Sequence, residues 1–413
     1  MASLRKNKTV IRTEDLSLSS DSDFDSDEDN PFGALHKGDE QNYNLDQRVM
    51  ARYGTNVQHK KSLTNYYIQI IGFVAVLIFI PSEIVLRNTI FESERSAIKS
   101  YQEIINSIDA DTFFKQFWIL FTWVGRYLFV KCVASFLYLF ADPVLGFKSA
   151  LTLYAGAFII TILKMFYKVP RPFWIDSEIK GKECLMDFSG PSEIQFFMTY
   201  FYSYNIIMFF IMYAEKPNKT FAAICLSGNA FLVVIAALWL NYLGVTFYLE
   251  SLTGSVYGIL YCALCITFDS EIHKFSEMTG FIIKTSKKYK FYALFIVLFA
   301  FWCALVYYNS ELITWRAPQN WIVNSQGIWN FDEDFEIRLG IDDTFKETSA
   351  IFGIIGVSFG ASHATKVIDN VTWGHANFWL RILRGLLGVA IYVGIFVAFN
   401  LIPRVDLPTA YFF

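Results

Sequence analysis

Runs of about twenty apolar residues recur between Tyr66 and Leu401, and few folds are open to a chain written this way. Lipid offers the backbone no hydrogen bonds, so a segment that enters it must satisfy its own N–H and C=O groups, as an α-helix does. With 54% hydrophobic and only 18% charged residues, the 413-residue chain lacks the charged surface that a soluble domain of this length needs. The expected architecture is all-α, a polytopic transmembrane helical bundle of about nine spans. These fall near Tyr66–Leu86, Arg126–Ala141, Phe147–Phe166, Ile194–Tyr213, Phe221–Trp239, Leu252–Phe268, Phe291–Tyr308, Ser349–Thr365 and Leu380–Leu401. The aromatic stretch Phe113–Gly125, with Lys115 inside it, is expected along the interface before the second span, so the count is eight or nine.

Residues 1–60 read differently. The run SLSSDSDFDSDEDNPF from Ser17 to Phe32 cannot bury enough apolar surface to offset its ordering entropy, so an acidic disordered tail is expected. Its serines are kinase-type sites by context, and Asn30-Pro31-Phe32 looks like the tripeptide read by endocytic adaptors, which makes a cytosolic adaptor a candidate partner. A solvated tail explains the same residues without one. No cleavable signal peptide is expected, since the first apolar run begins beyond residue 60. A net charge of -3 and the lack of a basic tract exclude nucleic acid as a partner. Cys262 and Cys265 share one apolar helix with no His or further Cys, so they read as packing residues, with neither a metal nor a cofactor implied.

Basic residues set the orientation. Lys60-Lys61, Lys216 with Lys219, the group Lys274–Lys290, and Arg381 with Arg384 fall on one side if spans alternate, and such loops stay cytoplasmic. The N-terminus is then cytosolic, and the loop Glu311–Glu347, rich in Asp, Glu and Trp, faces the lumen or exterior. Its Trp315, Trp321 and Trp329 suit a lid or packing plate more than a binding site.

Three polar clusters interrupt the apolar text on that same lumenal or exterior face. Lys164 is followed by Arg171-Pro172 in KMFYKVPRPFW, with Pro170 and Pro172 stiffening the turn. Lys brings a point charge and Arg a planar fork, a combination that seats a phosphate. GPSEIQFF places Pro191-Ser192 ahead of the next apolar run, and NYLGVTFYLESLTG sets Thr246 and Glu250 four residues apart.

In these three places the chain resembles the type-2 phosphatidic-acid phosphatase superfamily, the lipid phosphate phosphatases related to vanadium haloperoxidases. That family carries KxxxxxxRP, PSGH and SRxxxxxHxxxD in this order. The likeness spans roughly Phe113 to Phe268 and implies a six-helix lipid-phosphatase-type core over residues 61–268. A cytosolic basic loop (269–290) and a three-span C-terminal unit (291–413) would follow. Lys164, Arg171, Pro172 and Ser192 match as phosphate-holding residues. Glu193 stands where the family has Gly, and Ile194 replaces the acid His. Leu240 replaces the third-motif Arg, Thr246 the nucleophilic His, and Glu250 the orienting Asp.

These losses strike the groups that move protons and bonds. A Thr hydroxyl needs an adjacent base to attack. Ile194 cannot protonate a leaving oxygen, a step worth about 10²–10⁴-fold. Leu240 removes a cation that would stabilise the transferring phosphoryl group. Vanadate chemistry fails with the same His. His36, His59, His273, His363 and His375 lie off the motif pattern; Gly360–Ala364 echoes PSGHA only on the opposite face. Glu193 and Glu250 are expected to neutralise Lys164 and Arg171 in an ion cluster, since unpaired charge at membrane depth is costly. Two alternatives are a zwitterionic headgroup held between them, or a rebuilt site with one Glu as base. The remaining charges of the loop Phe173–Gly190, namely Asp176, Glu178, Lys180, Lys182, Glu183 and Asp187, read as a solvated face. Trp174 could lie against a lipid chain, and Cys184 is expected to be a free or buried thiol.

The reading is an integral protein of an endomembrane or the plasma membrane that resembles a lipid phosphatase without its catalytic histidines. It would bind phospholipid or lipid phosphate, or scaffold partners. The alternatives are a working lipid phosphate or pyrophosphate hydrolase with a substituted nucleophile, and a structural assembly subunit.

Overall fold

The computed structural model describes residues 63–107, 122–141, 143–183, 185, 187–212, 218–269, 272, 297, 300, 318–329, 349–358, 360 and 377–401. The chain divides into two units, Met1–Val57 and Gln58–Phe413, and every described residue lies in the second. The expected acidic tail with Asn30-Pro31-Phe32, all five histidines, Lys115, Cys184, nearly all of the basic loop 269–290, and nearly all of the seventh span lie outside the described residues.

Among the described residues the regular structure is helical, with one isolated antiparallel bridge between Val169 and Gly190. In chain order the helices are α1 (Leu63–Ser107), α2 (Tyr127–Phe140), α3 (Pro143–Tyr167), the single turn α4 (Pro172–Ile175) and α5 (Glu193–Ile207), which runs on as a π-helical turn, Met208–Met212. Then come α6 (Lys219–Tyr242), α7 (Tyr248–Thr267), α8 (Gln319–Trp329), the short apolar α9 (Ser349–Ser358) and α10 (Phe378–Leu401). Four described helices are long and apolar enough to cross a membrane: Leu145–Tyr167 in α3, Lys219–Tyr242, Tyr248–Thr267 and Phe378–Ala398. They coincide with the expected third, fifth, sixth and ninth spans.

The expected first span departs most. It does not end near Leu86 but continues to Ser107, making α1 a 45-residue helix that is about 67 Å long at 1.5 Å per residue. Past Leu86 its apolar residues keep helical spacing, with Phe91 against Phe247 and Ile98 in the cluster that holds Trp174, and with Tyr101 against Tyr242 and Ile105 beside that second cluster. That stripe carries the helix beyond the hydrophobic run, and its polar residues meet the motif segments.

The core is built around α5. Its Phe196, Phe197, Tyr200, Phe201 and Tyr204 are fully buried, as expected of a helix that is apolar all round. Its tightest neighbour is α7, where Gly254 lets the backbones meet; a Cβ there would run into the Ser192 carbonyl and lie 3.1 Å from its N. By contrast α6 and α10 present apolar side chains outward, with Phe231 66% and Leu387 59% exposed, the surface that a helix offers to lipid. Away from the motif segments, Lys148 of α3 makes a buried two-oxygen ion pair with Asp269 at 2.8 and 2.9 Å. Arg384 of α10 donates to the Leu139 carbonyl at the C-terminal end of α2.

Candidate functional site

The end of α3, the turn before α5 and the turn before α7 meet in one place. Ser189 N donates to Val169 O (2.9 Å), Ser192 N to Glu250 O (3.1 Å), and Arg171 Nη1 to Val245 O (2.9 Å). Arg171 is the N-cap of α4 and Pro172 its first residue, a position where the missing proline N–H costs nothing. The loop before α7 turns at Gly244 (φ +68), a left-handed conformation that suits glycine. A Cβ there would also lie 3.1 Å from both Lys180 O and Gln102 Nε2.

A carboxylate already occupies the space between the two first-motif cations. Lys164 Nζ donates to Asp187 Oδ2 at 2.7 Å, Arg171 Nη2 donates to Asp187 Oδ1, and Arg171 Nε donates to the Asp187 carbonyl at 2.7 Å. All three residues are buried. Glu193 joins at 3.3 Å from Lys164 and is less buried. The anion that closes the cradle thus comes from the 173–190 loop, which corrects the solvated-face reading for Asp187. Glu178, Lys180 and Lys182 of that loop are exposed.

Glu250 does not reach Lys164 or Arg171, contrary to the expected cluster. Its Oε2 accepts from Ser189 Oγ (2.6 Å) and Phe247 N (2.8 Å), and its Oε1 lies 3.6 Å from Arg87 Nη1. Asp187 already satisfies the first-motif pair, so Glu250 is left to cap its own helix and to meet α1. Arg87 also pairs with buried Glu83 one turn earlier, and Glu83 accepts from Tyr257 Oη at 3.3 Å.

Helix α1 supplies more of the scaffold. Glu94 accepts from Leu249 N at 2.6 Å, capping α7 from outside, and Gln102 bonds the Tyr242 and Lys180 carbonyls at 2.9 and 3.1 Å. Arg95 donates to Asp176, and Lys99 Nζ lies 2.7 Å from the same carboxylate. Burial alone would raise the Asp176 carboxyl, but hydrogen bonds from Arg95, Lys99 and the Glu178 amide hold it at about 2. Asp176 is therefore a second buried anion in a loop read as solvated.

The residues that the sequence likeness would align with bond-breaking groups are also buried or partly so. Leu240 is fully buried and packs with Tyr242, Leu243 and Val245, and Ile194 packs against this cluster. Thr246 Oγ1 is 3.4 Å from Asn241 Oδ1 and 3.1 Å from Ser251 Oγ, an amide and a hydroxyl, neither of which is a base at neutral pH. Among the described residues no three His, Cys, Asp or Glu side chains are placed to hold a metal ion.

Helix α8, from the Trp-rich segment, lies over α4. Trp321 packs against Trp174 with ring centroids 6.1 Å apart, and Asn324 Nδ2 donates to Trp174 O at 2.9 Å. Trp174 is buried here and not open to a lipid chain. Sequence reasoning missed Asp187 and the α1 residues Arg87, Glu94, Arg95, Lys99 and Gln102; the one signal was the apolar stripe that persists beyond Leu86. No family model, curated protein or solved structure matches this chain.

Proposed function

We propose that this is an integral membrane protein on a lipid-phosphatase-like core that does not hydrolyse phosphate esters, and that works by binding phospholipid or holding partners in the membrane. The observation that carries this reading is the Asp187 carboxylate spanning Lys164 and Arg171. A substrate phosphate would have to displace a buried, covalently tethered anion from both cations. Thr246, at the position expected of the nucleophile, has only an amide and a hydroxyl within hydrogen-bond reach among the described residues.

The structural-subunit reading has its own support, since α8 covers the α4 turn and a closed cradle serves rigidity as well as recognition. We infer a cytosolic N-terminus and a lumenal or exterior motif end. The charge bias of the loops supports this, as does the contact between the Trp-rich segment and the motif end, while Arg384 meets the far end of α2.

The full chain, purified in detergent and supplied with phosphatidate or sphingosine phosphate, is expected to release no phosphate above the buffer rate. Turnover that disappears in Thr246→Ala would overturn the reading.

A further inference from the structure

Beside the motif segments, α1 and α7 stand far enough apart to leave a groove of about 570 Å³. Phe79, Ser82 and Leu86 line its α1 side at the three- and four-residue spacing of one helix face, and Leu249 and Leu252 line its α7 side. Val85 at its edge is 65% exposed, Leu86 44% and Leu252 58%, so the groove opens sideways from the bundle. Its α7 wall belongs to a helix long and apolar enough to cross a membrane, which makes hydrocarbon the surrounding solvent.

The polar side chains of the lining already have partners. Ser82 Oγ donates to Phe79 O at 2.8 Å, and Thr89 Oγ1 donates to Leu86 O at 2.7 Å. The Glu83 side chain is buried, and its carboxylate accepts from Arg87 and from Tyr257 Oη at 3.3 Å. Among the described residues the lining therefore offers a polar ligand no unmet hydrogen bond, and an apolar space of this kind stays dry. Left void, its walls would forfeit their dispersion contacts. A hydrocarbon chain restores those contacts and needs no hydrogen bond.

The dimensions fit one such chain. From Phe79 to Thr89 α1 advances ten residues, about 15 Å at 1.5 Å per residue, which is half of the roughly 30 Å hydrocarbon core of a bilayer. The Thr89 end lies toward the motif end of the bundle, where Arg87 meets Glu250 and Glu94 caps α7. The Phe79 end lies deeper, its ring centroid 5.5 Å from that of Tyr257, more than two turns along α7. A helix about 10 Å across takes up roughly 1,200 Å³ over the same length, so a partner helix seats only a ridge of side chains there.

We propose that this groove is a binding site for one acyl chain of a membrane lipid from the motif-face leaflet, separate from the Lys164–Arg171 cradle. The site rests on the binding half of the function proposed above and stands whether or not hydrolysis occurs.

The test uses full-length protein in nanodiscs of phosphatidylcholine that carries a photoreactive diazirine in mid-chain, with labelled peptides mapped by mass spectrometry. The outward-facing Phe231 of α6 and Leu387 of α10 serve as controls for ordinary boundary lipid. Labelling of the groove walls is expected to exceed theirs about tenfold, the preference that about ten additional carbon contacts give. Leu252→Trp, at an exposed position, fills the groove; it is expected to cut labelling of Phe79–Leu86 about tenfold and to leave both controls unchanged. Thermal unfolding checks that the variant is folded, and the wild-type comparison needs no variant. Groove labelling no stronger than that of Phe231 and Leu387 overturns the proposal, as does labelling indifferent to a folded Leu252→Trp. Cross-linking of Val85→Cys between two copies overturns it too, because a second copy would then occupy the groove. Phosphate release in the hydrolysis assay would sink the reading of inactivity and leave this one standing.

Discussion

Replacing Asp187 by Asn tests the closed cradle directly. The substitution keeps shape but removes the negative charge that Lys164 and Arg171 share. Two cations and two carboxylates become two cations and Glu193 alone. Breaking a buried pair from one side costs about 3–5 kcal/mol, because it strands the remaining charge. Here Arg171 keeps two backbone acceptors, the Asp187 and Val245 carbonyls, and Lys164 keeps Glu193 at 3.3 Å. The lower end of that range, about 3 kcal/mol, is therefore expected, a fall of about 3–4 °C in the apparent unfolding midpoint for a chain of this length. Glu193→Gln, at a longer and less buried contact, is expected to cost about 1 kcal/mol. The readout is tryptophan fluorescence on heating in detergent, with phosphate titrated against chloride at equal ionic strength. If Asp187 stands where a phosphate would sit, the Asn variant regains stability with phosphate and wild type does not. At ten times its Kd the gain is about 1.4 kcal/mol. A variant as stable as wild type would refute the buried-pair reasoning, and a destabilised variant equally indifferent to both salts would refute the view of Asp187 as a built-in ligand.

Acid should weaken the contact between α1 and the motif loop only after exposed carboxylates have taken up their protons. The Asp176 carboxyl, held at about 2 against an ordinary 3.8, stabilises the fold by about 2 kcal/mol at neutral pH. Because its folded value is the lower one, that contribution is complete above about pH 4 and is lost as pH falls toward 2. Asp176→Asn should flatten the unfolding midpoint over this window, and an unchanged pH profile would count against the ion cluster. Gly254→Ala puts a methyl group into the Ser192 backbone and is expected to cost about 1–3 kcal/mol, read as a lower midpoint; a neutral result would mean that α5 and α7 do not approach as closely as described.

Much of this arrangement could be read from residue order, for identifiable reasons. Helical spans announce themselves by length and apolarity, so α3, α6, α7 and α10 fall where expected. The motif segments announce themselves by proline, glycine and paired charge. What one-dimensional reading cannot resolve is which charged residue of a mixed loop turns inward. Asp176 and Asp187 sit among Glu178, Lys180 and Lys182, and nothing in their spacing separates buried from exposed. Their partners explain the outcome. Arg95 and Lys99 arrive from a helix 81 and 79 residues away from the residues they bond, and the continuation of α1 past its hydrophobic run had to be seen before those cations had a location. Glu250 went astray for the converse reason. Proximity in the motif suggested Lys164 and Arg171, but Asp187 had taken them, and Arg87 was the cation left.

A cradle built to hold a phosphate keeps like charges close together, and an empty one pushes itself apart. In this chain both motif cations meet an internal carboxylate, Asp187 for Lys164 and Arg171 with Glu193 helping, and Arg87 of the neighbouring helix meets Glu83 and Glu250. The motif segments are also tied to one another by the backbone bonds from Ser189 N to Val169 O and from Ser192 N to Glu250 O. On the proposed likeness, histidines placed at positions 194 and 246 would bring chemistry to a site whose two cations Asp187 already occupies.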